Sequence, residues 1–433
     1  MRRPMLIVFI IILLLDLICT NVYQDNQGDL NDKTVTIEGT VTQKNEKQTQ
    51  FGQNYTQYRV DKYLVEDYGD KCKLQIGMKA SVLGRFKSID KMKYNDFDYG
   101  LYLRSTGVKG VVYVDSVIII GKNKFIAILG DIKTEIKNIN RYLYKEKSNF
   151  VNSITISDKS DMTGVEKDMF SRTGTSHVIS ISGLHTGILC MAIAFVIRGI
   201  NKFYKLVVLS LVISTYAVLI GMPVSVIRAV FFTFTMYLAT FVDRKRDGIS
   251  TLSIIGALVL IQNPYTVYNV SFQLSFLVTL SIIYFEWYLH KIIKFRVVSL
   301  TISANILTLP IIYYSFGGIP VLAVLGNAVI VPLISAILGL SLVSGAVYGL
   351  SLTLAKFAAF LNTGIINVVY WFLYEISEIP YSYIEIREPK LWIVVIYYII
   401  AIASMVYLEI REMRENKNEL QGYCKRYTRG QTI

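Results

Sequence analysis

Between Ser176 and Leu408 the chain is a succession of nine apolar runs, at about 176–197, 205–220, 224–242, 249–262, 270–289, 297–314, 320–348, 350–373 and 391–408. No other feature constrains the fold as much. About 20 apolar residues carry a helix across the hydrocarbon core, where the backbone has no partner outside its own helix. A tenth run opens the chain, "MRRPMLIVFIIILLLDLICT", behind a basic flank. No small-residue cleavage site follows it, so residues 1–21 are expected to stay as a membrane anchor. A composition that is 53% hydrophobic agrees with this reading. The expected class is a polytopic α-helical membrane protein of about ten spans.

Residues 22–130 break the pattern. The runs "TVTIEGTVTQ", "YTQYRVDKYLV", "KASVLGRF" and "VKGVVYVDSVIII" alternate apolar and polar residues between Gly and charged turns. Period-two alternation predicts four or five short antiparallel strands, enough for a small OB-like barrel or another small β-sandwich. Residues 131–169 follow as a linker region. In it "DIKTEIKNINRYLYKEK" has apolar residues at helical spacing and predicts an amphipathic helix on the membrane or the barrel. The polytopic domain is then 170–410, and 411–433 is a basic tail.

Charge orients these segments. The chain has 45 Lys and Arg against 32 Asp and Glu, a formal net charge of +13. The basic stretches "RGINKFYK" (198–205), "DRKRD" (243–247), "HKIIKFR" (290–296) and the tail fall on alternate connections, on the side of the N-terminal "MRR". "GMP" (221–223), "QNPYTVYN" (262–269), "SFGGIP" (315–320) and "EISEIPYSYIEIREPK" (375–390) fall opposite and are not clearly basic. Basic loops face the cytoplasm, so both termini are expected inside and the β domain outside. The same rule accounts for most of the net charge without invoking an anionic partner. Four scattered cysteines, none in CxxC spacing, argue against a zinc ribbon or a disulfide framework.

Polar residues inside apolar runs are costly and point to function or to helix contacts. Two of only three histidines, His177 and His185, stand in "SHVISISGLHTGIL" with Ser180 and Ser182. On one continuous helix the two rings would lie about 80° and about 12 Å apart, too far to share a metal. Gly183 and Gly187 form a GxxxG that predicts a close helix neighbour. Ser225 and Arg228, Gln273, Asn305 and Asn327 add polar groups to four further runs, and Pro223, Pro310, Gly317, Gly318 and Pro332 mark expected breaks. The histidines can equally be satisfied by neighbours in a packed bundle, and Arg228 can snorkel to an interface. Together the sites suggest one polar, hydrated interior.

These phrases, in order, resemble the ComEC-type competence family. "FSRTGTSHVISISGLHTG" (170–187), "GMPVSVIRA" (221–229), "NPYTVYNVSFQLSF" (263–276) and "LPIIYYSFGGIPVLAVLGNAVIVP" (309–332) are similar to four successive family motifs. "NDFDYGLYLRSTGVKG" (95–110) resembles the junction closing the family's outer OB-like domain. The resemblance covers roughly residues 97–335. It implies a channel that imports single-stranded DNA in natural transformation. Thr186 and Ser271 depart mildly from the pattern. Many relatives also carry a C-terminal metallo-β-lactamase-like domain. Three histidines without an HxHxDH cluster cannot build its metal site, so no nuclease activity is expected.

The chain has no GxxxxGK[ST] phosphate loop, and no cofactor is expected. Each phosphate moving inward works against an inside-negative potential at about 2.3 kcal/mol per charge per 100 mV. A cytoplasmic helicase or translocase motor is therefore an expected partner. A surface DNA receptor, a separate nuclease for the second strand and a second copy in a homodimer complete the set. In the outer domain Phe51, Tyr55, Tyr58, Tyr63 and Tyr68 are candidate stacking surfaces, and Lys44, Lys47, Arg59 and Lys62 candidate phosphate contacts; these tyrosines also suit ordinary strand positions. Two other classes compete. One is a transporter of small solutes or another polymer, disfavoured by the lack of an internal repeat. The other is an intramembrane hydrolase on Ser182 or His185, which lacks an acid partner.

Overall fold

In the computed structural model the described residues are 4–22, 30–48, 53–69, 71–94, 97–239 and 247–429. Phe51, the N-terminal "MRR" and most of the basic run at 243–247 lie outside them.

After helix α1 (Pro4–Val22) come strands β1 (Thr34–Gln48), β2 (Asn54–Val60), β3 (Tyr63–Asp67) and β4 (Met78–Ser88), then α2 (Tyr99–Ser105) and β5 (Gly110–Lys122). The strands close a barrel in the order β1-β2-β3-β5-β4. Closure depends on the length of β1, whose first half pairs with β4 and second half with β2, with a register shift between Val41 and Gln43. β3 and β5 are parallel, from Tyr63↔Gly110 to Glu66↔Tyr113, so the sheet is mixed rather than antiparallel throughout. The run "YTQYRVDKYLV" forms two strands, separated at Asp61, which takes a left-handed φ of 48°. Val41, Tyr58, Val60, Val65, Ala80, Val82, Phe86 and Val112 fill the interior. Burying each large apolar side chain contributes about 1.5–3 kcal/mol. Gly84 sits at a register shift between β4 and β5, where a Cβ would lie 2.1 Å from the Tyr113 carbonyl oxygen.

The helices are α3 (Lys124–Tyr144), α4 (Ser148–Ile156), α5 (Gly164–Arg172), α6 (Gly183–Val196), α7 (Lys202–Leu219), α8 (Val224–Ala239), α9 (Gly248–Gln262), α10 (Val270–Ile292), α11 (Arg296–Phe316), α12 (Ala323–Tyr348), α13 (Leu352–Glu378) and α14 (Leu391–Arg429). Six of them, α7 and α10 to α14, are long and apolar enough to cross a membrane; α1, α6, α8 and α9 are apolar but shorter.

The chain forms two compact units, Met1–Phe276 with Pro320–Tyr383, and Leu277–Ile319 with Ile384–Ile433. In the first, α3, α4 and α5 pack against α12 and α13. Tyr144, Phe150, Val151, Ile154 and Phe170 pack in one core with Ile330, Ile334, Ile337, Ile366, Val369 and Leu373 of α12 and α13. "SNFVNSITI" looks too polar to be buried, but Ser153 and Thr155 return their hydroxyls to helix carbonyls and Asn152 bonds to Asn140. The barrel rests on α3 through Gly77 and Gly130, where a Cβ would meet Ala127 or Ile76. It also touches two helix connections. Gln43 reaches the Gly221 carbonyl at 3.5 Å, Asn263 donates to the Arg104 carbonyl at 2.9 Å, and Asn269 donates to Ser105 Oγ at 3.1 Å.

In the second unit α10, α11 and α14 meet around Phe285, Leu307 and Ala401. Pro310 was expected to break its span, yet α11 runs through it. Proline cannot donate to the Ile306 carbonyl four residues back. Tyr397 Oη donates to that oxygen at 2.8 Å, and Tyr398 Oη to the next, on Leu307, at 2.9 Å. In the first unit Asn327 and Pro332 likewise lie inside the unbroken α12. Gly317 does terminate α11, in a left-handed C-cap at φ 62°, and Gly318 follows it into a three-residue strand.

Candidate functional site

The segment 173–187 is anchored at one end and capped at the other. Gly174 has φ +70°, and a Cβ there would lie 2.5 Å from Ala323 Cβ, so the turn after α5 presses on the start of α12 with no room for a side chain. Thr173 and Thr175 are buried and share a hydrogen bond of 2.8 Å. From Ser176 to Ser182 the chain is turn, not helix. One helix over "SHVISISGLHTG" is therefore wrong: α6 begins at Gly183, because Ser182 is its N-cap in extended geometry at φ −120°, ψ 178°. Val178, Ile179 and Ile181 turn inward, while Ser176, His177 and Ser180 are exposed.

His185 occupies the third helical position, where a capping box usually has Glu or Gln. Its Nδ1 accepts the Ser182 amide at 3.3 Å and lies 3.1 Å from Ser182 Oγ. An accepting Nδ1 leaves the proton on Nε2. That nitrogen is buried without a hydrogen-bond partner among the described residues. The Ser182–His185 pair thus closes the first turn of α6 as a helix cap. His177 stays within electrostatic reach of His185.

Two of the other predicted residues join this point. Ser225 donates to the Ile181 carbonyl at 2.9 Å, just after Gly221 and Met222 take positive φ and Pro223 leads into α8. Half-buried Arg228 donates to the Ser275 carbonyl on α10, and its Nη2 lies 3.6 Å from where a Gly183 Cβ would be. Arg228 is thus turned into the protein, not snorkelling out. The N-terminal parts of α6, α8 and α10 converge around one guanidinium.

Other candidates have different surroundings. Gln273 is occupied with the Val267 carbonyl at 2.8 Å. Asn305 lies in the second unit and donates to Thr301 of its own helix at 2.9 Å. Asn327 is buried near the start of α12 with Oδ1 unpartnered among the described residues. Gly187 is not a close-approach site, since a Cβ there meets nothing within 4 Å. In the barrel Tyr58 is buried with its hydroxyl on the Cys72 carbonyl at 2.9 Å, Tyr63 packs edge-on to Phe86, and Arg59 Nη2 donates to the Thr106 carbonyl at 2.7 Å. These three are spent on the fold. Lys62 is exposed in the turn after Asp61, and Tyr55 stacks on Tyr68 with centroids 4.8 Å apart.

Two features escaped sequence reasoning. Lys159, in the acidic-looking "SDKSD", bonds to Ser180 Oγ. Asn362 of α13 reaches Tyr144 Oη at 3.1 Å and Ser341 Oγ at 2.9 Å in a buried network. An Asn mid-span in "FLNTG" was the available signal for the second; the first had none.

A barrel resting on the connections of a helical bundle, with a capped His and an inward Arg among apolar helices, defines a multi-pass membrane protein with a polar constellation at the ends of its helices. The family model described as Competence protein matches residues 154–411, more than half of the chain, and the chain belongs to that family. It is 27% identical over 283 residues to ComE operon protein 3 of Bacillus subtilis (strain 168), an alignment covering 62% of this chain and 36% of that protein. The chain thus matches little more than a third of that relative's length. No solved structure matches it.

Proposed function

We propose that the protein is a channel for single-stranded DNA across the cytoplasmic membrane in natural transformation. The observation that carries this reading is the convergence of Ser182, His185, Ser225 and Arg228 at the N-terminal parts of three apolar helices. Leaving a buried polar atom unpaired costs about 1–3 kcal/mol. Among the described residues His185 Nε2 and Asn327 Oδ1 have no hydrogen-bond partner, which suits groups that face a hydrated path and meet a passing strand. A neutral imidazole offers a hydrogen bond without the trapping force of a row of fixed cations.

In this reading about ten helices span the membrane and both termini are cytoplasmic. The barrel is an OB-type domain outside, a reading supported by its closed order and its parallel β3–β5 pair. Its seat on the 221–223 and 262–269 connections, neither clearly basic, supports the same sidedness. A cytoplasmic motor pulls the strand, a surface receptor delivers it and a separate nuclease removes its complement.

The test is uptake of labelled DNA by cells lacking the gene, complemented with wild type or His185→Ala. Deletion is expected to abolish uptake, and His185→Ala to reduce it at unchanged membrane abundance. Normal uptake in the deletion strain rejects the function. Normal uptake with His185→Ala removes the imidazole from the path.

A further inference from the structure

A groove of about 1140 Å³ lies between the end of the β1–β2 hairpin and the α4–α5 connection. Asn45 to Gln48 and Asn54 to Thr56 form one wall; residues 157 and 159–164, with Lys167, form the other. Three ammonium groups, of Lys47, Lys159 and Lys167, line it. Among the described residues none of the three has a carboxylate within ion-pair distance.

The nearby carboxylates are committed elsewhere. Asp158 is 2.9 Å from Lys137 Nζ and takes the Ser160 hydroxyl at 2.6 Å. Asp161 is 3.1 Å from the same Lys137 nitrogen. Glu166 accepts the Thr163 amide and the Tyr370 hydroxyl, both at 2.8 Å. Asp67 is buried and accepts the amides of Gly69, Lys71 and Cys72. Glu66 takes Gln57 and Tyr68, and is near enough to Lys47 to act on its charge. Exposed Glu46 is the remaining acid on the lining.

Lys159 and Lys167 are close enough to repel each other, a cost that an anion bound beside them would offset. Burial, and secondarily the Lys167 charge, push the Lys159 ammonium below its ordinary pKa. Lys159 also donates to Ser180 Oγ, which ties this wall of the groove to the exposed turn of Ser176, His177 and Ser180. On the other wall Tyr55 lines the groove and is backed by the Tyr68 ring. Cations at intervals beside an aromatic face are the chemistry that takes an extended, unpaired nucleic-acid strand: ammonium to phosphodiester, ring to base.

We infer that this groove is a phosphodiester cradle that holds a single strand on Lys47, Lys159 and Lys167 and hands it to the turn carrying Ser180 and His177. The inference rests on the DNA-import reading above and adds the site where the strand is held before the helices.

The experiment uses the full chain in nanodiscs, with the anisotropy of a labelled oligothymidylate followed against salt. Wild type should bind with a steep salt slope. A variant with Lys47→Gln, Lys159→Gln and Lys167→Gln should bind more weakly, with a slope smaller by about 2, from roughly 0.7 per phosphate contact on a single strand. Lys159 is half-buried, so the pair Lys47→Gln and Lys167→Gln, both exposed, is measured too and should lose about 1.4 of slope. Lys33→Gln, exposed at the opposite end of β1, should leave the slope as in wild type. Unchanged slope in both groove variants overturns the cradle and leaves the import reading standing. A wild type that does not bind the oligonucleotide overturns both. Equal competition by a blunt duplex overturns the single-strand assignment.

Discussion

The barrel and the helical bundle answer the same question in opposite ways. In both, polar and aromatic residues were picked out from the sequence as contacts for a ligand. In the barrel the fold absorbs three of them: Tyr58 is core, Tyr63 packs on Phe86, and Arg59 ties to the Thr106 carbonyl. In the bundle Ser182, His185, Ser225 and Arg228, scattered over more than forty residues, arrive at one place. Solvent explains the difference. In water a Tyr or Arg on a strand costs little and carries little information. Among apolar helices each polar group is expensive, so its presence reports a partner or a path.

The largest effect that sharpens this contrast is expected in the barrel. Tyr58→Ala should destabilise it by about 3–5 kcal/mol, the usual range for removing a buried aromatic. Tyr58→Phe should cost only about 1 kcal/mol, for the lost bond to the Cys72 carbonyl. Denaturant unfolding followed by tyrosine fluorescence measures both. If Tyr58→Ala is neutral, Tyr58 is not core and returns to the list of base-stacking candidates.

A middle effect separates two glycines of the bundle. Gly174→Val forces a β-branched side chain into a left-handed turn against Ala323 and should cost at least about 2–3 kcal/mol. Gly187→Val meets open space and should stay within about 1 kcal/mol, the scale of a helix-propensity change. Thermal melting in detergent compares them. Equal losses would restore Gly187 as a helix contact.

The smallest effect tests the repair above Pro310. Tyr397→Phe removes the hydroxyl on the Ile306 carbonyl and should cost about 0.6 kcal/mol, typical of such bonds between membrane helices. In a Pro310→Ala background the helix amide can serve that oxygen, and the cost should fall toward zero. An undiminished cost in the double-mutant cycle would mean that Tyr397 does not compensate for the proline.

Much of this protein is legible without coordinates, because lipid and the strand pleat impose periodicities that a sequence must obey. The apolar runs, the alternating strands and the four ordered motifs predicted a helical membrane domain and a β domain before it, and the family match agrees with the motifs. The sequence also singled out His185, Ser225 and Arg228, since a polar residue in an apolar run stands out by residue type. What remained were matters of partnership, which periodicity does not encode. Only the folded chain decides that Ser182 caps α6 and ends the predicted longer helix, that Tyr397 lets α11 continue past Pro310, and that α4 is core because its hydroxyls find carbonyls within their own helix. Only the folded chain brings Lys47 of a strand, Lys159 of a helix connection and Lys167 of α5 to one groove. Each depends on which distant group lies within about 3 Å of a donor, and that distance is fixed by packing.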